Sequence, residues 1–282
     1  MLWAVEMKWK YSYFNVLCSS CISKIDMTLN VRLTTKTVGA SNTEYEGRTI
    51  DEIIVGQARL SSSREVNDLF NEPHKLLRYC ILNQHWSVFD QASLGIEITC
   101  ARYVSAQLLR HKSFFPQEFS QRYAEVPSIE PIELRSQATN NRQSSSQVIT
   151  DEQLNSRVDL FIDAALDLYK ELVNNNVAKE CAREILPLSA TTKINLNGTI
   201  RSYITMLNAR LHKTTQKEHR ELAQLIRDII IQECPIIAAC LYNFEYAEDV
   251  HILDRLVLDK YGVFELVKSN SFKRITRELV YV

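Results

Sequence analysis

Six glycines in 282 residues constrain this chain more than any other feature of its sequence. Average usage of about 7% would give roughly 20. They stand at Gly39, Gly47, Gly56, Gly95, Gly198 and Gly262, and no two are close together. Dinucleotide-fold and P-loop cradles need clustered glycines, because only a backbone free of Cβ atoms lets its amides reach a diphosphate. Neither motif is present. If the chain binds a nucleotide, side chains must hold it.

Charge narrows the field further. Thirty-three Lys and Arg oppose 34 Asp and Glu, for a net charge of -1. That balance argues against a generic polyanion binder, so no nucleic-acid partner is expected. Seven cysteines, an odd count without regular spacing, do not make a disulfide framework. Cys18 and Cys21 form one CxxC with no second pair, and His74, His212, His219 and His251 show no pairing that would make a metal site. No run reaches the roughly 18 apolar residues needed to span a membrane. Glu6, Lys8 and Lys10 interrupt the N-terminal apolar stretch, which makes a poor secretory signal. The expectation is a soluble cytoplasmic protein with residues 1–26 as a poorly ordered extension.

Periodicity then supplies the elements. Val31, Leu33, Thr35 and Thr37 alternate as in a short strand, and so do Ile96 and Ile98. Thr49 and Glu52 have capping-box spacing and open a helix to about Leu60. Pro73 suits the first turn of a helix burying Leu76, Leu77, Cys80 and Ile81. Residues 101–111 read as helix. Residues 127–149, rich in Ser, Asn, Gln and Pro, read as a long polar loop. Thr150 and Gln153 suggest a second capping box, ahead of an amphipathic helix with Leu154, Val158, Phe161, Ala165, Leu168 and Leu172 on one face. A short helix from about Ala178 stops before Pro187, and two more run over 200–211 and 216–232. The class is α+β: a modest mixed or antiparallel sheet packed with long helices, and a mostly helical second half. Residues 27–235 read as one catalytic domain, and 236–282 as a helical tail.

Chemistry concentrates in residues 107–123, where Arg110, His111, Lys112, Glu118, Ser120 and Arg122 interleave with Phe114, Phe115, Phe119 and Tyr123. Arginine forks suit phosphate oxygens, and aromatic planes suit flat rings. Pro116 places a turn in the middle. Alternation would set Glu118, Ser120 and Arg122 on one side of an extended piece.

Arg110-His111-Lys112, followed by Gln117-Glu118-Phe119-Ser120-Gln121-Arg122-Tyr123, closely resembles the signature of flavin-dependent thymidylate synthases. Ala58-Arg59-Leu60-Ser61 and His85-Trp86-Ser87-Val88-Phe89-Asp90 resemble that family's upstream motifs. Ala182-Arg183, Leu186-Pro187, Arg201-Ser202, Leu207-Asn208-Ala209-Arg210 and Thr215-Gln216-Lys217-Glu218 resemble its downstream ones, in order and spacing. The resemblance covers roughly Met27 to Pro235.

It implies reductive methylation of dUMP to dTMP, with methylenetetrahydrofolate as carbon donor, FAD as redox carrier and NADPH as reductant. It further implies a homotetramer whose active sites are shared between subunits. On the matching positions, Gln107, Arg110, Glu118, Phe119, Ser120, Gln121, Arg122, Arg183 and Arg210 look like dUMP contacts. Arg183 is similar to a residue supplied by a neighbouring subunit, and Arg210 to the catalytic arginine on the uracil ring. Ser61, His85, Ser87, Arg110, His111, Lys112, Glu118, Thr199, Arg201 and Thr205 fall at flavin-facing positions, with Gly198 beside them.

The chain departs from the family pattern at several positions. Lys112 replaces an Arg, Phe115 a Ser, and Pro116-Gln117 an aromatic-Asn pair. Asp90 stands for Glu, while Thr199 and Thr205 stand where Asn and His or Asn are common. Cys234 precedes Pro235 rather than following it, so the cysteine-nucleophile type of thymidylate synthase finds no support. Ser120 has no evident His-Asp relay that would make it a nucleophile. The alternative is an inactive or nucleic-acid-binding protein that kept the fold. Joint presence of Arg110, Glu118, Ser120, Arg122, Arg183 and Arg210 weighs against it.

Overall fold

The computed structural model describes residues 29–61, 69–139 and 141–241. Cys18, Cys21, Gly262, His251, the extension over 1–26 and the tail beyond residue 241 lie outside the described residues. The sheet is built from β1 (Asn30–Lys36), β2 (Ser93–Ala101), β3 (Phe115–Glu118) and β6 (Thr191–Thr199), in the order β1-β2-β6-β3. Every pairing is antiparallel. Alternation decides its faces. Leu94, Ile96, Ile98, Ile194 and Leu196 point into the core. On the opposite face Arg32 lies across the ladder from Glu97 and bonds it at 2.8 Å. Pro116 cannot donate to a ladder, and it sits on the edge strand, where that loss is tolerated.

Helices cover the apolar face. Helix α1 (Ile50–Arg59) starts at the expected capping box: Glu52 N–H donates to Thr49 Oγ1, and Thr49 N–H donates to Glu52 Oε2. Helix α2 (Pro73–Leu82) buries Leu77, Cys80 and Ile81, and a 3₁₀ turn follows over Trp86–Asp90. Helices α6 (Ile200–Arg210), α7 (Lys217–Glu233) and α8 (Pro235–Leu241) complete the layer. Helix α8 begins where the tail was expected, yet Ile236, Ile237 and Cys240 are buried in the main core. The Asp51 carboxylate accepts from the Ile236 and Ile237 N–H groups, capping that helix from inside the protein. The main core therefore runs across the boundary expected at Pro235.

Between β3 and β6 the chain makes an excursion. The stretch expected as a loop carries a small ribbon, β4 (Arg135–Gln137) paired with β5 (Ser145–Val148). Helix α4 (Glu152–Asn174) follows, and α5 (Lys179–Ala182) runs into a 3₁₀ turn ending at Ile185. The cap of α4 is Asp151, whose carboxylate accepts from Leu154 N–H, one residue later than the expected Thr150 box. Its packing face also differs from expectation. Ile162, Ala165 and Tyr169 are buried, whereas Phe161 and Leu168 are exposed. The hydroxyl of Tyr169 explains the choice, because it accepts from Val126 N–H and draws that side of the helix inward. The result is a small satellite core of Val126, Tyr169, Ala182 and Ala190. Cys181 is exposed, while Cys100 and Cys240 are buried.

Candidate active site

The site is organised by α3 (Arg102–Leu108) and the turn that follows it. Leu108 and Phe114 are buried at either end of the turn. Phe114 packs edge-on against Tyr203 at 4.8 Å. A Cβ on Gly198 would come within 2.5 Å of the Phe114 ring, so that glycine serves ring packing. The sequence resemblance had set Gly198 beside a flavin. Gly39 is likewise required by close approach, since a Cβ there would meet the Tyr45 carbonyl oxygen at 1.7 Å. Pinned at both ends, the turn carries Arg110, His111 and Lys112 past the C-terminus of α6.

There Arg210 Nε donates to His111 Nε2 at 2.9 Å. An imidazole accepting on Nε2 must be neutral, with its proton on Nδ1. Burial lowers the His111 pKa and the Arg210 cation lowers it further, which fits that form. Arg210 is itself lowered, by burial and then by the like charge of Arg110. Among the described residues no carboxylate pairs with Arg110 or Arg210. Two cations held close together without an anion make a site for one.

Beside them Gln107 is held from two sides. Its Nε2 donates to Gln216 Oε1 at 2.8 Å, and its Oε1 lies 2.9 Å from His219 Nδ1. His219 is 1% exposed and its pKa is pushed down to about 4 by burial, then by Arg210 and His111. Sequence reading missed His219 as a site residue. Its one available signal was its position directly after the Thr215–Glu218 motif.

Glu118 ends β3 facing α3. Its Oε1 accepts from Ser105 Oγ at 2.7 Å and from Thr192 Oγ1 at 3.0 Å. The expected alternation of Glu118, Ser120 and Arg122 does not occur. Phe119 N–H still bonds Lys193 O, but the Ser120 carbonyl then accepts from the Tyr123 and Ala124 N–H groups, closing a turn. Gln121 is buried, and its Nε2 has no hydrogen-bond partner among the described residues. Arg122 points elsewhere, to Glu180 Oε2 at 2.9 Å. Arg183 Nε donates to the Glu180 carbonyl at 3.3 Å, so Arg122 and Arg183 meet on one exposed residue.

Of the expected flavin positions, Arg110, His111 and Glu118 belong to the groups above, and Thr199, Arg201 and Thr205 gather at the start of α6. Thr199 caps α6, and Asp90 receives Thr199 Oγ1 at 2.9 Å and Arg201 Nη1 at 3.0 Å. Thr205 Oγ1 is turned back onto the Arg201 carbonyl. His85 and Ser87 are exposed nearby in sequence, with the His85 ring 5.6 Å from Tyr79. Lys112 Nζ reaches the Leu109 carbonyl at 3.4 Å. Ser61 Oγ bonds the Ala58 carbonyl at the end of the first described segment. An exposed arginine, hydroxyls and a helix start suit a diphosphate. Among the described residues no group of three or more His, Cys, Asp or Glu is placed to hold a metal, and no helix is long and apolar enough to cross a membrane.

Comparison with known proteins matches residues 38–236 to the family described as "Thymidylate synthase complementing protein". A "Probable flavin-dependent thymidylate synthase" of Paramecium bursaria Chlorella virus 1 is 37% identical over 215 residues, covering 74% of this chain and 99% of that protein. The flavin-dependent thymidylate synthase of a Synechocystis species is 39% identical over 187 residues, covering 65% and 86%. Among solved structures, a UMP/dUMP methylase from Streptomyces cacaoi bound with 5-Br dUMP superposes with a TM-score of 0.63 at 21% identity. That match covers 75% of this chain and 94% of the other.

Proposed function

This chain belongs to the flavin-dependent thymidylate synthases, enzymes that methylate dUMP to dTMP, and from that premise we propose how its residues divide the work. One observation carries the reading: Arg110 and Arg210 stand together, half-locked by a neutral His111, with no carboxylate of the described residues between them.

In this reading Arg210 is the catalytic residue. His111 holds its Nε, which leaves the two Nη groups to fork onto the uracil ring. A fixed cation beside charge that develops on the ring lowers the barrier, because it needs no reorganisation at the moment of reaction. Gln107 and Arg110 complete that side of the nucleotide, with Phe119, Ser120 and Gln121 along its edge. Glu118 is oriented by Ser105 and Thr192 through one oxygen, and among the described residues its second oxygen is left to accept from a sugar hydroxyl. Arg122 and Arg183 take the phosphate, in exchange for the Glu180 contacts they make now, and Arg183 does so in a neighbouring subunit.

The donor set along Ser61, His85, Ser87, Lys112, Thr199, Arg201 and Thr205 would hold FAD. When bound, the flavin supplies reducing equivalents drawn from NADPH, and methylenetetrahydrofolate supplies the carbon. The enzyme works in the cytoplasm as a homotetramer. The surface of α4 supports self-association. Leu154, Val158, Phe161, Ala165, Leu168 and Leu172 recur at alternating spacings of four and three, the seam of a helix that packs on another. Phe161 is 61% and Leu168 46% exposed on that seam in the single chain.

The test is direct. Purified protein supplied with dUMP, methylenetetrahydrofolate and NADPH is expected to be yellow and to form dTMP. Bound flavin with no dTMP formed would overturn the synthase reading. A fully active monomer by light scattering would overturn the shared site.

A further inference from the structure

Gln107 carries a carboxamide, which has two N–H donors and two acceptor lone pairs and can turn end for end at little cost. Here one of each is already engaged. Nε2 donates to Gln216 Oε1, so Oε1 is the atom left to face His219, and it must accept. That makes His219 the Nδ1–H tautomer. Its Nε2 is then a buried lone pair, and among the described residues no partner lies within reach of it.

Burial, Arg210 and His111 all oppose a positive charge on this ring. His219 sits in the first turn of α7, where the helix dipole is positive. His111 faces it with ring centroids 6.5 Å apart at 86°, and Arg210 lies beyond. The turn itself is anchored from outside. Arg135 on β4 bonds Glu218 Oε1 at 2.5 Å and Glu133 at 2.8 Å, and Lys217 bonds Glu133 at 2.9 Å. Gln216 and His219 are therefore a rigid two-point clamp on one side chain from an element far away in sequence.

We propose that His219 is a positioning residue for the nucleotide: with Gln216 it fixes which end of the Gln107 carboxamide faces dUMP. The clamp leaves one N–H and one carbonyl lone pair of Gln107 on the open edge, in a single polarity. Without the clamp both polarities would be populated, and the wrong one would set donor against donor. The proposal rests on dUMP being the ligand of this site.

The experiment is a double-mutant cycle on flavin-loaded protein, with dUMP affinity read by isothermal titration calorimetry. Binding by the unsubstituted protein tests the ligand, and comparison among variants tests His219. His219→Leu keeps the volume and removes the donor, so dUMP should bind about tenfold more weakly, the scale of one lost hydrogen bond in a buried polar site. His219→Asn places an amide N–H near the position of Nδ1 and should restore binding to within about threefold. In a Gln107→Ala background, His219→Leu should add nothing, because the side chain it acts through is gone. A steady-state split should agree, with KM for dUMP rising and kcat nearly unchanged. Two results would overturn the proposal. One is parental affinity in His219→Leu. The other is a double variant whose loss equals the product of the single losses.

Discussion

The two halves of the proposed nucleotide site are built in opposite ways. Gln107, His111, Arg210 and His219 stand on elements of the main core, and each is bonded to another member of the group. Arg122 and Glu180 stand on the excursion between β3 and β6, over a satellite core of four buried residues, and both are more than half exposed. The first half is set by folding. The second is an exchangeable ion pair, which an incoming phosphate can replace at small cost because exposed pairs are worth little. On the proposed reading, the bonded half meets the uracil ring and the exchangeable half meets the phosphate.

The largest expected effect breaks the rigid half. Arg210→Ala should lower turnover by about 10²- to 10³-fold, the usual loss when a fixed transition-state donor is removed, with the flavin absorbance band unchanged. Assays of dTMP formation beside visible spectra check it, and normal turnover would remove Arg210 from its role. Next is the core that supports this half. Asp51→Ala strands the Ile236 and Ile237 N–H groups in the interior and should destabilise the protein by about 2–4 kcal/mol in urea unfolding. An unchanged midpoint would show that α8 is capped some other way.

pH sharpens the comparison, because two buried groups of the rigid half titrate in opposite senses. His219 is lowered from 6.5 to about 4, so the unfolded chain binds its proton first. Its contribution is complete above pH 6.5 and is lost as pH falls toward 4, a span of about 3 kcal/mol at most. Asp51 is raised from 3.8 to about 7 by burial, against the two backbone N–H bonds that favour its charged form. Its contribution is complete below pH 3.8 and is lost as pH rises through 7. Subtracting the stability curve of His219→Asn from that of the parent isolates the first group. The difference should grow as pH rises from 4 to 6.5, and a flat difference would mean that His219 is not held neutral. The smallest effect belongs to the loose half. Arg122→Ala should change stability by less than about 1 kcal/mol, yet weaken dUMP binding about tenfold. Equal affinity would exclude Arg122 from the phosphate site.

Much of the fold was legible because it rests on short-range rules. The Thr49–Glu52 box, the alternation in β2 and at Val31 and Leu33 of β1, and Pro73 in the first turn of α2 each depend on neighbours within four residues. The expected alternation through Thr35 and Thr37 fails, because the register shifts between Leu33 and Thr35. The run from Glu118 to Arg122 was misread because a strand continues only while its partner edge is open. Past Lys193 the edge of β6 is occupied: Thr191 N–H donates to Ser128 O, and Ile129 bridges Ala190. Residues 120–122 are left to curl into a turn. The face of α4 was misread for a similar reason: Leu154, Phe161 and Leu168 of its regular apolar stripe stay exposed while Ala165 is buried, and a tyrosine hydroxyl bond draws the neighbouring face inward.

Glycine scarcity by itself excluded a glycine-rich backbone cradle, and the motif spacing marked which side chains are candidates to hold a nucleotide. Both are properties of residue identity and order. Only the tertiary structure decided that Arg122 pairs with a carboxylate while, among the described residues, Arg110 and Arg210 do not, and that His219 clamps Gln107 from 112 positions away. Charge and hydrogen bonding act through space over a few ångströms, and no distance along the chain encodes that separation.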